Sequence, residues 1–115
     1  MKLITAIIKP FKVDEVRQAV ADIGIQGLTV TEVHGYGGRS GGQSQRPASE
    51  DDAYSLGCVS RAKIELAVDD SIAEQVMEAV CNVARTGNKG DGKVWVFELE
   101  QALRVRTGET GPDAI

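Results

Sequence analysis

The apolar residues of this chain switch between a period of two and a period near 3.6, and the order of the switches admits few folds. Leu3–Ile8 reads as a strand with apolar groups on both faces, closed by Lys9-Pro10 because proline cannot donate to a ladder. Val13, Val16, Ala19, Val20 and Ile23 then recur at helical spacing, with Asp14 and Glu15 in the first turn and Gly24 at the stop. Leu28–Tyr36 is β-branched and roughly alternating, a second strand. Arg61–Val68 alternates cleanly, with Ile64, Leu66 and Val68 on one face. Asp69, Asp70 and Ser71 offer N-cap chemistry for a second helix, whose stripe is Ile72, Val76, Ala79, Val80 and Val83 and whose expected stop is Gly87. Val94–Leu99 is a fourth strand. Gln101–Leu103 reads as a short turn or helix, and Arg104–Ile115 as a polar tail with turn residues.

This order, β-α-β-β-α-β, is the split βαβ or ferredoxin-like arrangement of the α+β class, with two helices on one face of an antiparallel sheet. A single domain over residues 1–115 accommodates it. Because the first strand is apolar on both sides, the face without helices is expected to pack on other subunits, giving a homo-oligomer whose stoichiometry the pattern leaves open. Between the second and third strands, Gly35–Asp52 is polar, rich in Gly and Ser, and without hydrophobic period. A long mobile loop is expected there.

Composition narrows the function. A net charge of −4 and a pI near 5.0 give no basic footprint, which argues against a nucleic-acid partner. No apolar run approaches membrane-spanning length, so membrane insertion is not expected. The apolar part of Met1–Pro10 is short, is broken by Thr5 and lacks a cleavage site, so a cytoplasmic protein is expected. Cys58, Cys81 and the lone His34 show no disulfide or metal-ligand spacing. Cys81 reads as a small core hydrophobe; Cys58 reads either as an inert loop cysteine or as a regulatory thiol.

The stretch with chemistry in it is Thr86-Gly-Asn-Lys-Gly-Asp-Gly-Lys93, where three glycines let backbone amides turn toward a ligand and Lys93 adds a point charge. Its Gly-Lys runs into a strand, unlike the helix-entering phosphate loop of nucleotide hydrolases. Gly90, Asp91, Gly92 and Lys93 suit a phosphate cradle; the bland reading is a glycine-rich turn with an incidental lysine. Arg104 and Arg106, two apart, would share one side of an extended segment and grip phosphate oxygens, or else form a solvated charge pair. Glu65 falls on the face opposite Ile64 and Leu66, as a polar base contact or a solvent-facing carboxylate. Glu109 has the same ambiguity.

Four segments together resemble the P-II signal-transduction family: Ile7-Ile-Lys-Pro-Phe-Lys12, Gly27-Leu-Thr-Val-Thr-Glu-Val33 with Gly35-Tyr-Gly37, Ala84-Arg-Thr-Gly-Asn-Lys-Gly-Asp-Gly-Lys-Val-Trp-Val96, and Arg104-Val-Arg-Thr-Gly-Glu-Thr-Gly-Pro-Asp-Ala114. The resemblance covers residues 1–37 and 61–115. It implies a homotrimer with three adenine-nucleotide sites in the clefts between subunits. It also implies a B-loop at 86–93, a T-loop at about 36–61 that docks on a transporter or enzyme, and a C-loop at 104–115. Family proteins bind ATP and ADP competitively, and many sense 2-oxoglutarate through ATP-bound Mg2+. By the resemblance, Ile7, Thr29, Gly35, Tyr36, Gly37 and Glu65 join Gly90, Asp91, Gly92, Lys93, Arg104 and Arg106 in the nucleotide site.

The long loop departs from that pattern. Arg39 stands where the family's metal-binding glutamine falls, and a guanidinium has no acceptor to offer a metal. Ordinary 2-oxoglutarate sensing is therefore not expected; Arg39, Ser40, Gly41 and Gly42 instead suit a small oxyanion. Tyr54 lies near the family's nucleotidylated tyrosine but in a different context, which argues against that modification. Arg61 replaces a lysine that helps fix the loop's exit. Such a loop on an intact nucleotide cleft resembles carboxysome-associated P-II variants, which sense bicarbonate with ATP, ADP or AMP. The competing readings are an ordinary nitrogen-regulatory protein sensing 2-oxoglutarate, a slow ATP-hydrolysing enzyme, and a structural module. No Ser-His-Asp or Cys-His set supports the enzyme, so a nonenzymatic regulator is expected.

Overall fold

The computed structural model describes residues 1–36 and 57–115. Strands β1 (Lys2–Ile8), β2 (Thr29–Gly35), β3 (Val59–Val68) and β4 (Gly92–Glu98) form one antiparallel sheet in the order β2-β3-β1-β4. Helix α1 (Val13–Asp22) joins β1 to β2, and α2 (Ala73–Ala84) joins β3 to β4. This is the ferredoxin-like α+β arrangement expected from the periodicities.

The core lies between the sheet and its two helices. Ile4, Ala6 and Ile8 of β1, Ala62, Ile64, Leu66 and Val68 of β3, Val16 and Val20 of α1, and Val76 and Val80 of α2 are all buried. Alternation explains the strand residues, and i, i+4 spacing explains the helix pairs. Gly24, with φ of +101°, ends α1 as expected, its N–H donating to Ala21 O at 2.9 Å. The Asp69 carboxylate accepts from the Ser71 amide at 3.2 Å and caps a 3-10 turn, Asp70–Ile72, that leads into α2.

Strands β1 and β2 shift by one residue at their ends, and larger differences lie elsewhere. The second helix ends at Ala84 with Arg85 already extended, so Gly87 is not its stop. β4 begins two residues early, at Gly92, and β3 begins at Val59. After β4 no helix forms over 101–103; Leu103 instead bridges Thr110 across a tight turn.

The opposite sheet face is divided. Leu3 and Ile7 of β1 with Trp95 and Phe97 of β4 make a mostly apolar half, interrupted by Thr5 and Lys93, while Thr29, Thr31 and Val33 of β2 with Arg61, Lys63, Glu65 and Ala67 of β3 make a mostly polar half. Phe97 is 55% and Trp95 38% exposed in the single protomer. Among the described residues, no helix is long and apolar enough to cross a membrane.

Candidate functional site

The loop between α2 and β4 is built around one carboxylate. Asp91 Oδ2 accepts the backbone N–H groups of Thr86 at 2.8 Å and Gly87 at 2.9 Å. Its Oδ1 accepts the Thr86 hydroxyl and the Lys9 ammonium, the latter at 3.1 Å. Lys9 also donates to Thr86 Oγ1 at 3.2 Å, and the Asn88 amide closes on the same hydroxyl. These donors hold the Asp91 carboxyl well below its ordinary pKa, the Thr86 hydroxyl being the largest cause. The carboxylate is thus spent on shaping the loop, holding the Thr86 and Gly87 amides and the Lys9 ammonium to itself. Lys9 and Thr86 were missed from the sequence as members of this network.

Two glycines make the shape possible. Gly92 has φ of +108°, and a Cβ there would stand 1.7 Å from the Ile7 carbonyl oxygen, so no side chain fits where β4 joins β1. Gly90, at φ of +86°, leaves room for the Arg61 guanidinium; a Cβ would sit 2.7 Å from Nη2. Arg61 Nη1 also donates to Ser60 O at 2.9 Å, and among the described residues no carboxylate pairs with it. On the uncovered face, Lys63 and Lys93 flank Ile7 from either side. Ile7, Gly35, Tyr36, Arg61 and Gly90–Lys93 therefore gather at one end of the sheet, where cations outnumber free carboxylates.

The remaining candidates lie elsewhere. Thr29 pairs with Glu65 across β2 and β3, and both line a cleft of about 770 Å3 with Gly27, Ala67, Arg104 and the C-terminal residues Pro112, Ala114 and Ile115. Glu65 lies 3.5 Å from the Lys63 ammonium. Arg104 pairs with Glu109 at 3.3 Å, and its N–H donates to Glu109 O at 2.8 Å. The Gly108 N–H closes the turn on Arg104 O, so Arg106 sits inside a turn rather than two residues along an extended segment. The shared side expected for Arg104 and Arg106 is not present, and only Arg104 lines the cleft.

The candidate residues thus fall into two groups on one protomer. Thr29 is on edge strand β2 and Lys93 on edge strand β4, at least about 14 Å apart by three strand spacings. Gly37, Arg39, Ser40, Gly41, Gly42, Tyr54 and most of the T-loop lie outside the described residues. Among the described residues, no three His, Cys, Asp or Glu side chains converge as a metal site.

The protomer is a small α+β fold with a glycine-built loop at one sheet edge and a polar cleft at the other. A family model for nitrogen regulatory protein P-II matches residues 1–109. Nitrogen regulatory protein P-II of Rhodospirillum rubrum is 47% identical over 115 residues, covering all of both chains. The protein of the same name from Haemophilus influenzae is 44% identical and nitrogen regulatory protein GlnK of Escherichia coli 45%, each again over the full length of both. The chain belongs to the P-II family of signal-transduction regulators, whose members are trimers that act on target proteins.

Proposed function

We propose that this protein is a nonenzymatic sensor of adenine nucleotides, ATP, ADP or AMP, bound in clefts between the protomers of a homotrimer. It also takes a small effector anion such as bicarbonate, and regulates a target transporter or enzyme through residues 36–61. The observation that supports this most is the splitting of the candidate residues. Gly90–Lys93 and Ile7 stand at one end of the sheet, while Thr29, Glu65 and Arg104 line a cleft at the other. Neither half surrounds a nucleotide, but the β4 edge of one protomer set against the β2 edge of the next joins phosphate donors to a base-sized cleft. The apolar half-face of Leu3, Ile7, Trp95 and Phe97 supplies the contact that holds protomers together.

The loop chemistry favours binding over turnover. Asp91, the carboxylate inside the loop, is committed to Lys9, Thr86 and Gly87 and offers no base to a water. A slow ATP-hydrolysing enzyme is accordingly the weaker reading. Mg2+ enters as a companion of the nucleotide's phosphates, since Arg39 provides no oxygen ligand where the family's glutamine would. Arg39, Ser40, Gly41 and Gly42 hold the small anion, which places the protein among the carboxysome-associated variants of the family, in the cytoplasm.

A second reading, ordinary nitrogen control by ATP, ADP and 2-oxoglutarate, is favoured by the names of relatives 44 to 47% identical over the whole chain. Calorimetric titration with ATP and ADP separates the two, each nucleotide being tested with 2-oxoglutarate plus Mg2+ and then with bicarbonate. ADP or AMP binding enhanced by bicarbonate and blind to 2-oxoglutarate is the expected result. ATP binding enhanced by 2-oxoglutarate would overturn it in favour of nitrogen control.

A further inference from the structure

At the mouth of the β2–β3 hairpin, three groups with exchangeable protons share one side. The register pairs Gly35 with Val59 and His34 with Ser60, so Tyr36 and Cys58 occupy the next rung outward. Strand alternation then puts His34 and Tyr36 on the same side of β2, and Ser60 and Cys58 on the matching side of β3. His34 Nδ1 lies 3.8 Å from Cys58 Sγ. Cys58 beside it holds the Tyr36 phenol above its ordinary pKa. His34 and Cys58 have no part in the nucleotide site proposed above. Cys81, half-buried like Cys58, lies on α2 and lines a separate pocket with Ile8, Ala84, Asp91, Lys93 and Val94.

A thiol becomes a nucleophile when a base within reach takes its proton and a donor steadies the sulfur anion. The His34 imidazole stands in the first place, 3.8 Å from the sulfur, and the Tyr36 phenol is on the same side of the hairpin. Cys58 is half-buried and His34 and Tyr36 are exposed, so a small reagent has a path to the sulfur. We infer that Cys58 is a site of covalent thiol modification assisted by His34, with a low-molecular-weight disulfide as its class of reactant.

In that step the Cys58 proton passes to His34 Nδ1 as the sulfur attacks one sulfur of the disulfide. The new S–S bond to Cys58 forms while the reactant's S–S bond breaks. The electron pair leaves on the second sulfur, which takes the proton back from His34 and departs as a thiol. Cys58 is oxidised and the reactant reduced, with no other redox partner. A second, free thiol reverses the exchange.

The test uses the full chain, oxidised glutathione at neutral pH, and peptide mapping that scores Cys58 and Cys81 separately. Cys58 in the folded protein is expected to react about tenfold faster than Cys58 in the same chain unfolded in guanidinium chloride. His34→Gln is expected to lower that rate by a similar factor, with the circular dichroism spectrum and the Cys81 rate unchanged. A folded Cys58 no faster than the unfolded one overturns the inference, and so does a His34→Gln rate equal to wild type. The folded-against-unfolded comparison needs no variant, so it decides the matter even where the substitution perturbs the hairpin.

Discussion

The guanidinium of Arg61 rests on the backbone of Gly90, close enough that an alanine methyl there would lie 2.7 Å from Nη2. The first residues of β3 are thereby in contact with the loop that follows α2, although the two are far apart in sequence. Among the described residues, no carboxylate neutralises this guanidinium, which leaves it free to pair with an anion under the proposed function.

Gly90→Ala therefore acts in two ways. Its φ of +86° costs an alanine about 1 kcal/mol, and the guanidinium must swing away. Urea unfolding is expected to show only that modest loss, whereas calorimetry shows a larger loss of nucleotide affinity. Arg61→Ala is expected to weaken binding while changing stability by less than about 0.5 kcal/mol. Stability losses that match or exceed the binding losses would count against this.

Gly92→Ala is expected to be far more damaging. The methyl group would occupy the place of the Ile7 carbonyl oxygen, 1.7 Å away, so β4 must shift off β1. A loss of about 3 kcal/mol or more follows in denaturant unfolding, against about 1 kcal/mol for Gly108→Ala, where φ is +75° but the space is open. Equal losses at the two positions would contradict the geometry.

The acid behaviour of the loop follows from Asp91. Its folded pKa lies below the ordinary value of 3.8, so its support for the loop is complete above that value and is lost as the pH falls through the folded one. The amide proton resonances of Thr86 and Gly87, both bonded to this carboxylate, are expected to stay downfield at pH 4 and to move only well below it. Asp91→Asn should shift both wherever the wild-type carboxylate is ionised and remove their response to acid. Movement already complete by pH 4 in the wild-type chain would contradict the assignment.

Phe97 and Trp95 leave an apolar half-face bare in the single protomer. Phe97→Glu places a charge in that contact and is expected to reduce the sedimenting species from three chains toward one while the helical spectrum persists. An unchanged assembly would remove this face from the interface.

Much of the fold was legible because burial writes itself as periodicity. Ile64, Leu66 and Val68 alternate, and Val16 and Val20 stand a helical turn apart; each set is buried as read. What escaped depends on partners distant in the chain. β4 starts at Gly92 because Ile8 pairs with it, and a glycine-lysine start carries no apolar signal. α2 stops before Gly87 because the amides of Thr86 and Gly87 turn to the Asp91 carboxylate instead of helix carbonyls. Arg106 looked extended beside Arg104 until the Gly108 amide closed the turn between them. Lys9 gave no sign of its role, since its partners Thr86 and Asp91 lie across the fold. The residues around Gly90 and Arg104 stood out in the sequence as candidates; their placement in two separate parts of the fold did not.

Mixed assemblies separate a cleft shared between protomers from one held within a single protomer. Lys93→Ala and Arg104→Ala each remove one half of the site, so neither variant alone should bind nucleotide well. Chains of the two variants, unfolded together and refolded at equal amounts, should regain about one site in four, because a wild-type β4 edge then meets a wild-type β2-side cleft by chance. Titration of the mixture with ATP is predicted to show that fraction of wild-type binding. A mixture as inert as its parents would mean that Lys93 and Arg104 act within one protomer, and the account of a shared cleft would be wrong.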